Sequence, residues 1–199
     1  MKRLLITGFD PFGGEVVNPA WEAVRALPDT VGTYALTKLQ IPTVFGLAAQ
    51  TILSAAAEMP VPPDVILCIG QAGGRAAVTP ELIGINYRHA SIADNRGTRI
   101  CESPIIDGAP AAYFATLPVQ RMTEAITAAG LPAQTSYSAG TFVCNDVLYT
   151  LLHRFSGTAV RVGFIHVPYL PEQVRDRAVP SMPLSDIVRA LEAAVTALG

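Results

Sequence analysis

Short, uniformly apolar runs recur along the chain and predict buried β-strands. They lie at residues 3–9, 64–69 and 160–167, and a glycine or proline follows each one closely. Uniform apolarity is typical of central strands that are covered on both faces of a sheet. A fourth strand is predicted at 33–41, where the hydrophobic positions alternate until Pro42 interrupts them.

Segments with helical spacing lie between these strands. The first begins at Asn18-Pro19, where a capping side chain precedes proline at the first helical position. Alternation of strands and helices predicts an α/β protein, a three-layer α/β/α sandwich around a mainly parallel, mixed central sheet. The other predicted helices cover 43–58, 109–129 with an interruption at Pro118, 143–155 and 183–198, and a short strand is predicted at 134–138.

Composition narrows the class of protein further. The chain has 199 residues, 50% of them hydrophobic and 15% charged, which predicts a single domain over residues 1–199 with a well-buried core. The net charge of −2 and the lack of a basic patch argue against a nucleic-acid partner. No apolar run is long enough to span a membrane or to act as a signal peptide. We expect a soluble, cytoplasmic protein.

The cysteines do not form a disulfide framework or a zinc motif. There are three of them, without CxxC spacing, and an odd count suits a reducing compartment. Cys68 lies in the middle of a predicted strand and is expected in the core, and Cys101 is expected to have no role in the chemistry. Cys144 differs because it stands at the predicted start of a helix.

Candidate chemistry is concentrated where strands end. Ligands of open α/β sheets bind beyond the carboxyl ends of the strands. Gly70–Gly74 follows one strand, Gly140–Cys144 follows another, and His166 ends a third. A long segment rich in glycine, proline, asparagine and aspartate, residues 73–108, is expected to be a functional loop. The pattern therefore returns a cysteine and a histidine to the same rim of the sheet.

A cysteine and a histidine at this rim suit nucleophilic catalysis. A helix N-terminus and an adjacent imidazolium both stabilise a thiolate, so we expect a lowered pKa for Cys144. The same helix terminus offers free N–H groups to an oxyanion. A carboxylate is needed to orient the imidazole of His166, and both Glu81 and Asp94 lie in the long loop. Packing alone is an equally good explanation of Cys144 at this level, because free cysteines are often buried.

Longer motifs add a resemblance to a known family. The sequence closely resembles the pyrrolidone-carboxylate peptidases (pyroglutamyl peptidase type I), a family of cysteine peptidases, over nearly its whole length. The motifs that carry the resemblance are GFDPFGG (8–14), Asn18-Pro19, IGQAGGR (69–75), Thr79-Pro80-Glu81, Asp94-Asn95, SAGTFVCN (138–145) and GFIHVPYLPEQ (163–173).

The resemblance implies a reaction and a set of roles. Cys144 would be the nucleophile, His166 the general base and then acid, and Glu81 the residue that orients the histidine. The family removes N-terminal pyroglutamate from peptides without a metal or organic cofactor. Its fold is similar to that of the nucleoside phosphorylase and hydrolase group, and its members are often cytoplasmic tetramers.

Pyroglutamate itself dictates an unusual pocket. It has no free α-amine, so selectivity must come from a small, flat, neutral lactam ring. Aromatic side chains suit its faces, and placed polar groups suit its N–H and C=O. Proline lacks the ring carbonyl and would leave polar groups of the pocket unpaired. We expect Phe9 and Phe12 to form the walls of this pocket, with Phe142 nearby and Val143 lining it. By the resemblance, the backbone at Gln71 meets the lactam, and Asn18 helps to hold the loop.

One departure from the family falls in the long loop. Many members carry an arginine three residues before the Asp-Asn pair, and this chain has Ser91 there. A hydroxyl cannot supply a fixed positive charge. Arg75, Arg88 and Arg96 are the candidates to replace it. We expect the chemistry to survive, with a different loop geometry or rate.

Three other functions are compatible with parts of the pattern. A nucleoside-phosphorylase-like enzyme would share the fold, but it needs cationic groups around phosphate, and the GFDPFGG loop offers two phenylalanines. A general cysteine aminopeptidase would cleave substrates with a free N-terminal amine. A non-catalytic binding module would use Cys144 for packing only.

Overall fold

The computed structural model describes all residues, 1–199. The strands are β1 (Lys2–Phe9), β2 (Thr30–Val31), β3 (Tyr34–Ile41), β4 (Val65–Gln71), β5 (Thr79–Glu81), β6 (Ile83–Ile85), β7 (Ala112–Phe114) and β8 (Arg161–Val167). The helices are α1 (Pro19–Ala26), α2 (Leu47–Glu58), α3 (Val119–Ala128), α4 (Val143–Arg154) and α5 (Leu184–Thr196), and a 3₁₀ turn covers Pro171–Gln173.

The central sheet has six strands in the order β2-β3-β1-β4-β8-β5. The four inner strands are parallel, whereas β2 and β5 pair antiparallel at the two edges. A separate antiparallel pair joins β6 to β7. The predicted α/β class with a mainly parallel, mixed sheet is confirmed.

Helices cover both faces of this sheet. Alternate residues of β1 point to opposite sides, so Leu4 and Ile6 join the core under α1, α3 and α5. Leu5 and Phe9 join the second core, under α2 and α4. Burial on both faces explains why the inner strands read as uniformly apolar runs.

Two predicted elements are wrong. Residues 109–118 do not form a helical turn. Instead, 112–114 is strand β7, because its backbone pairs with β6 and Ala115 N–H donates to the Leu82 carbonyl. Residues 134–138 form a single isolated bridge, between Glu81 and Ser136, and not a strand.

Two further differences concern the segments before the site. Helix α2 begins at Leu47 and not at residue 43, because the backbone N–H of Thr43 and of Phe45 are held by carboxylates of the loops, at 2.7 and 3.1 Å. Strand β5 lies inside the long segment 73–108 that the sequence predicted as loop. It is an edge strand, where a proline such as Pro80 is tolerated.

Gly8 marks the closest approach between β1 and α1. A Cβ at this position would lie 2.6 Å from the Trp21 Cα and 2.8 Å from the carbonyl carbon of Ala20. Backbone atoms cannot move aside cheaply, so we expect Gly8→Ala to lower the free energy of unfolding by roughly 2–4 kcal/mol in denaturant titrations. Gly199→Ala is the control, because its Cβ meets nothing closer than 3.5 Å. Equal stability of the two variants would contradict this prediction.

Candidate active site

The site lies where β4 and β8 end and α4 begins. His166 on β8 is the register partner of Gly70 on β4 and of Thr79 on β5. Gly70 leaves room for the Cys144 thiol, because a Cβ there would lie 3.1 Å from Cys144 Sγ and 2.7 Å from the Phe164 ring. The sheet register thus brings the two sequence candidates, Cys144 and His166, to the two sides of one glycine.

A buried carboxylate orients the histidine. His166 Nδ1 lies 2.7 Å from Glu81 Oε1, and both side chains are almost completely buried. An ionised carboxylate only accepts hydrogen bonds, so Nδ1 carries the proton and Nε2 keeps its lone pair. Nε2 has no hydrogen-bond partner in the protein and is not fully enclosed. This tautomer leaves Nε2 free to act as a base.

The charge states of this pair follow from its surroundings. Burial lowers the pKa of His166, and the charge of Arg75 lowers it further, against the opposing influence of Glu81. Burial alone would raise the pKa of Glu81, but the hydrogen bonds and charge of His166, with Arg75 and the nearby Ser136 hydroxyl, hold it below its usual value. At neutral pH the pair is therefore a carboxylate and a neutral imidazole.

The start of α4 carries Cys144 and a set of free amides. Phe142 occupies the N-cap position, and its side chain cannot accept a hydrogen bond from the first turn. The backbone N–H groups of Val143, Cys144 and Asn145 make no backbone hydrogen bond. Free donors at a helix N-terminus beside a cysteine are suited to hold an oxyanion.

The expected low pKa of Cys144 is wrong for the free protein. Burial raises the pKa of the thiol to about 12, and the negative charge of Glu81 adds to this effect. Arg75 and the backbone N–H of Cys144 act in the opposite direction and are outweighed. No hydrogen bond joins Cys144 Sγ to His166 in this structure. The resting site is therefore a neutral thiol beside a neutral imidazole.

The protonated thiol should be visible in its reactivity. Because the thiolate is the reacting form, alkylation of Cys144 by iodoacetamide should rise about tenfold per pH unit from pH 7 to 9. Mass spectrometry of the modified peptide gives this rate separately from Cys68 and Cys101. A rate that levels off near neutrality would instead indicate a thiolate–imidazolium pair, as the sequence pattern suggested.

A cavity of about 580 Å³ opens where β4 ends and α4 begins, with Gln71 and Phe142 in its lining. The rings of Phe12 and Phe142 lie 6.2 Å apart, and Phe45 packs edge-on against Phe142 at 5.2 Å. The cavity is lined by Phe12, Gly13, Glu15, Gln71, Gly73, Ser91, Ile92, Phe142, Tyr169 and Arg177. A slightly larger cavity around Lys2, Arg3 and Asp64 lies at the opposite, amino-terminal ends of the strands and contains none of the site residues.

The remaining predicted binding residues have different positions. Phe9 and Val143 are buried in the core, and Phe9 packs on Phe164 at 6.2 Å. Neither side chain lines the cavity, because the alternation of β1 and the first turn of α4 point them inward. Asn18 caps α1 through Ala20 N–H at 3.0 Å and donates to the Asp10 carbonyl at 2.9 Å, so it does hold the loop.

Hydrogen bonds fix the position of Gln71 on the polar side of the cavity. Gln71 Oε1 accepts from Gln173 Nε2 at 3.0 Å, and Gln173 Oε1 accepts from the Leu170 N–H at 2.9 Å. Gln173 and Tyr169, both in the GFIHVPYLPEQ motif, were not singled out individually as binding residues. The motif is the sequence feature that could have identified them, because its residues after His166 lie beside Gln71.

Asp94, the other candidate carboxylate, does not reach the histidine. Its oxygens accept from the backbone N–H of Phe45, Arg96 and Thr98 at 2.9–3.1 Å. This aspartate therefore organises its own loop, and the structure decides between the two candidates in favour of Glu81.

No helix has both the length and the apolarity needed to cross a membrane. No group of three or more histidine, cysteine, aspartate or glutamate side chains is arranged to hold a metal ion.

An α/β sheet that brings together a cysteine at a helix start, a histidine and an orienting carboxylate at one rim is typical of cysteine peptidases. The family model described as pyroglutamyl peptidase matches residues 2–199, and the chain belongs to that family.

Individual relatives agree with this assignment. The chain is 51% identical to the pyrrolidone-carboxylate peptidase of Staphylococcus saprophyticus, over 98% of this chain and 92% of the relative. It is 49% identical to that of Levilactobacillus brevis, over 98% and 97%. The crystal structure of Bacillus amyloliquefaciens pyroglutamyl peptidase I matches with a TM-score of 0.95 at 44% identity, covering 100% of this chain and 97% of that one. A mutant pyrrolidone carboxyl peptidase from Pyrococcus furiosus matches at 0.91 and 36%, covering 97% and 96%.

Proposed function

We propose that this chain is a cysteine exopeptidase, a single catalytic domain over residues 1–199, that hydrolyses N-terminal pyroglutamate from peptides. The observation that carries the proposal is the set of Cys144, His166 and Glu81 beside an aromatic cavity. Family membership supports the same reaction, because relatives that match the full chain are named for it.

The first step forms a thioester. His166 Nε2 takes the proton of the Cys144 thiol as the sulfur attacks the α-carbonyl carbon of pyroglutamate. The new oxyanion accepts hydrogen bonds from free N–H groups at the start of α4. Glu81 stabilises the imidazolium that forms, so a neutral resting pair is consistent with catalysis.

The thioester forms when this intermediate collapses and its C–N bond breaks, and the second step is hydrolysis of that thioester. The imidazolium of His166 gives its proton to the departing amine, which leaves as the shortened peptide. His166 then activates a water molecule that attacks the thioester, and the sulfur leaves with the proton returned to it. Free pyroglutamate and the resting thiol result.

Recognition of the lactam rests on the cavity. Phe12 and Phe142 form walls for the flat ring, and Phe9 and Val143 support them from the core. The backbone at Gln71 meets the polar edge of the lactam, and the Gln71 side chain is held in place by the hydrogen bond that Gln173 donates. A prolyl residue lacks the ring carbonyl and would leave this backbone group without a partner. We expect this to lower kcat/KM for prolyl substrates by a large factor.

The test is release of a fluorescent amine from a pyroglutamyl conjugate, run beside the prolyl conjugate and one with a free N-terminal amine. We expect turnover of the pyroglutamyl compound alone. Turnover of the free-amine conjugate would indicate a general cysteine aminopeptidase. Failure on all three by folded protein, with phosphate-dependent cleavage of nucleosides, would indicate the phosphorylase-like function.

Ser91 offers a test of the cavity wall. Ser91→Arg places a cation at the cavity, where the family often has one, and we expect the reaction to persist with kcat or KM changed by about two- to tenfold. Both parameters are measured with the pyroglutamyl conjugate, and Ser91→Gln is the uncharged control of similar reach. Unchanged parameters in both variants would show that this position has no influence.

We further propose a cytoplasmic homotetramer. Exposed aromatic side chains such as Phe114 and Tyr137, 67% and 70% exposed, support association of chains. Light scattering coupled to size exclusion measures the mass against 21.0 kDa per chain, and cell fractionation measures location. A monomer, or protein in the exported fraction, would contradict the respective part.

A further inference from the structure

Arg75 lies directly against the catalytic carboxylate. Its Nη1 donates to Glu81 Oε1 at 2.6 Å and to Thr79 Oγ1 at 2.5 Å. Its Nη2 donates to the Ser138 carbonyl at 3.1 Å, and Ser136 Oγ lies 3.3 Å from Nη1. The guanidinium therefore ties Glu81 to the segment that leads into the nucleophile helix.

One oxygen of Glu81 accepts both of its partners. His166 Nδ1 and Arg75 Nη1 bond to Oε1, while Oε2 is buried without a hydrogen bond. Unpaired buried oxygens are costly, so this carboxylate would gain by rotating Oε2 toward a donor. Arg75 opposes that rotation, because its Nη1 holds Oε1 while its Nη2 is held by the Ser138 carbonyl, and rotation would break the hydrogen bonds from both Arg75 and His166.

The other arginines do not provide this charge. Arg88 is paired with Asp146, with Nε 2.6 Å from Oδ1, and Arg96 is exposed without a side-chain hydrogen bond. Arg177 is paired with Glu15 on the far wall of the cavity, at 2.9 Å. Arg75 is the cation that bonds to the residues of the proposed reaction.

We propose that Arg75 is a positioning residue, which fixes Glu81 on His166 and supplies the positive charge that Ser91 does not. The inference rests on the proposed function. Arg75 makes no hydrogen bond to the thiol or to the imidazole, so it acts through Glu81 and through its charge.

The positive charge of Arg75 shifts the pKa values of the site in a defined direction. The groups that face His166 are Glu81 from β5, Arg75 from the segment after β4, and Cys144 from α4. Arg75 lowers the pKa of His166 and that of Cys144, whereas Glu81 raises both. Loss of the arginine should therefore raise the pKa of His166, so that the base is lost to protonation at a higher pH.

A purely structural role makes a different prediction. If Arg75 only tied two segments together, its removal would reduce the amount or stability of folded protein. The remaining folded enzyme would keep its pH profile. The position of the acid limb of kcat/KM is thus the readout that separates the two roles.

The experiment compares Arg75→Met, Arg75→Lys and Arg99→Met with the unmodified protein. Arg99 is the control because it is a loop arginine that bonds only to the Ala90 carbonyl, at 3.0 Å. Two quantities are measured in each: the pH profile of pyroglutamyl-conjugate cleavage, and the titration of His166 by NMR. The chain has only three histidines, so His89→Gln and His153→Gln assign the signals.

For Arg75→Met we expect kcat to fall about tenfold or more, with KM nearly unchanged, and both the acid limb and the His166 titration to move to higher pH. Arg75→Lys should restore the titration of His166 but only part of kcat. An ammonium keeps the positive charge, but it lacks the two-armed guanidinium that bonds to both Glu81 and the Ser138 carbonyl. Arg99→Met should leave both unchanged.

An unmoved His166 titration in folded Arg75→Met would overturn the inference. The titration needs no substrate, so it still tests Arg75 if no variant cleaves pyroglutamyl compounds. In that case the proposed function fails, while the titration still tests the effect of the Arg75 charge on His166.

Discussion

Cys144→Ser should reduce release of the amine from a pyroglutamyl conjugate by about 10⁴-fold or more. The serine hydroxyl fits the same space beside Gly70, but it is a far weaker nucleophile and His166 is too weak a base to ionise it. The initial rate with the fluorescent conjugate measures the loss. The fold should be kept, with the free energy of unfolding within about 1 kcal/mol of the unmodified protein.

Cys101→Ser is the matched control, since Cys101 is exposed and does not line the cavity. It should keep full activity. Cleavage by Cys144→Ser at a rate comparable to the unmodified protein would remove Cys144 from the mechanism and favour a packing role.

Glu81→Gln should lower kcat by about 10²–10³-fold with little change in KM. The amide oxygen can still accept from His166 Nδ1–H and from Arg75, so the tautomer is kept. The variant loses the negative charge that stabilises the imidazolium during attack. Because Glu81 raises the pKa of His166, its loss should also move the acid limb of the pH profile to lower pH, which steady-state kinetics from pH 4 to 8 measures.

The control for this variant is Glu15→Gln, which removes a carboxylate from the cavity wall without touching His166. We expect it to change KM more than kcat, and to leave the acid limb in place. A Glu81→Gln enzyme with kcat within about threefold of normal would mean that the carboxylate has no part in the reaction.

The inner sheet and helix α4 could be predicted from the sequence because each has a local cause. Uniform apolarity of β4 and β8 follows from burial on both faces, and Asn18-Pro19 is itself the start of α1. Neither Cys144 nor His166 needed tertiary information to be placed at a rim, since each ends or begins a regular element.

What the sequence missed depends on contacts between distant segments. Strand β5 has only three residues and contains a proline, and it forms because β8 offers it an edge. The choice of Glu81 over Asp94 required that pairing. The position of Phe9 required the side of β1 on which it lies. The raised pKa of Cys144 required the surroundings of its thiol, including the charge of Glu81.

The bare N-terminus of α4 has a consequence for any attempt to stabilise this protein. Serine or aspartate at a helix N-cap typically adds about 1 kcal/mol over an apolar residue, and Phe142 forgoes that gain. A capping oxygen there would bond to the same amides that are free for an oxyanion, and it would remove one aromatic wall of the cavity. Residue 142 is thus a position where thermostability and turnover select for opposite side chains, and general rules for helix design would choose the wrong one.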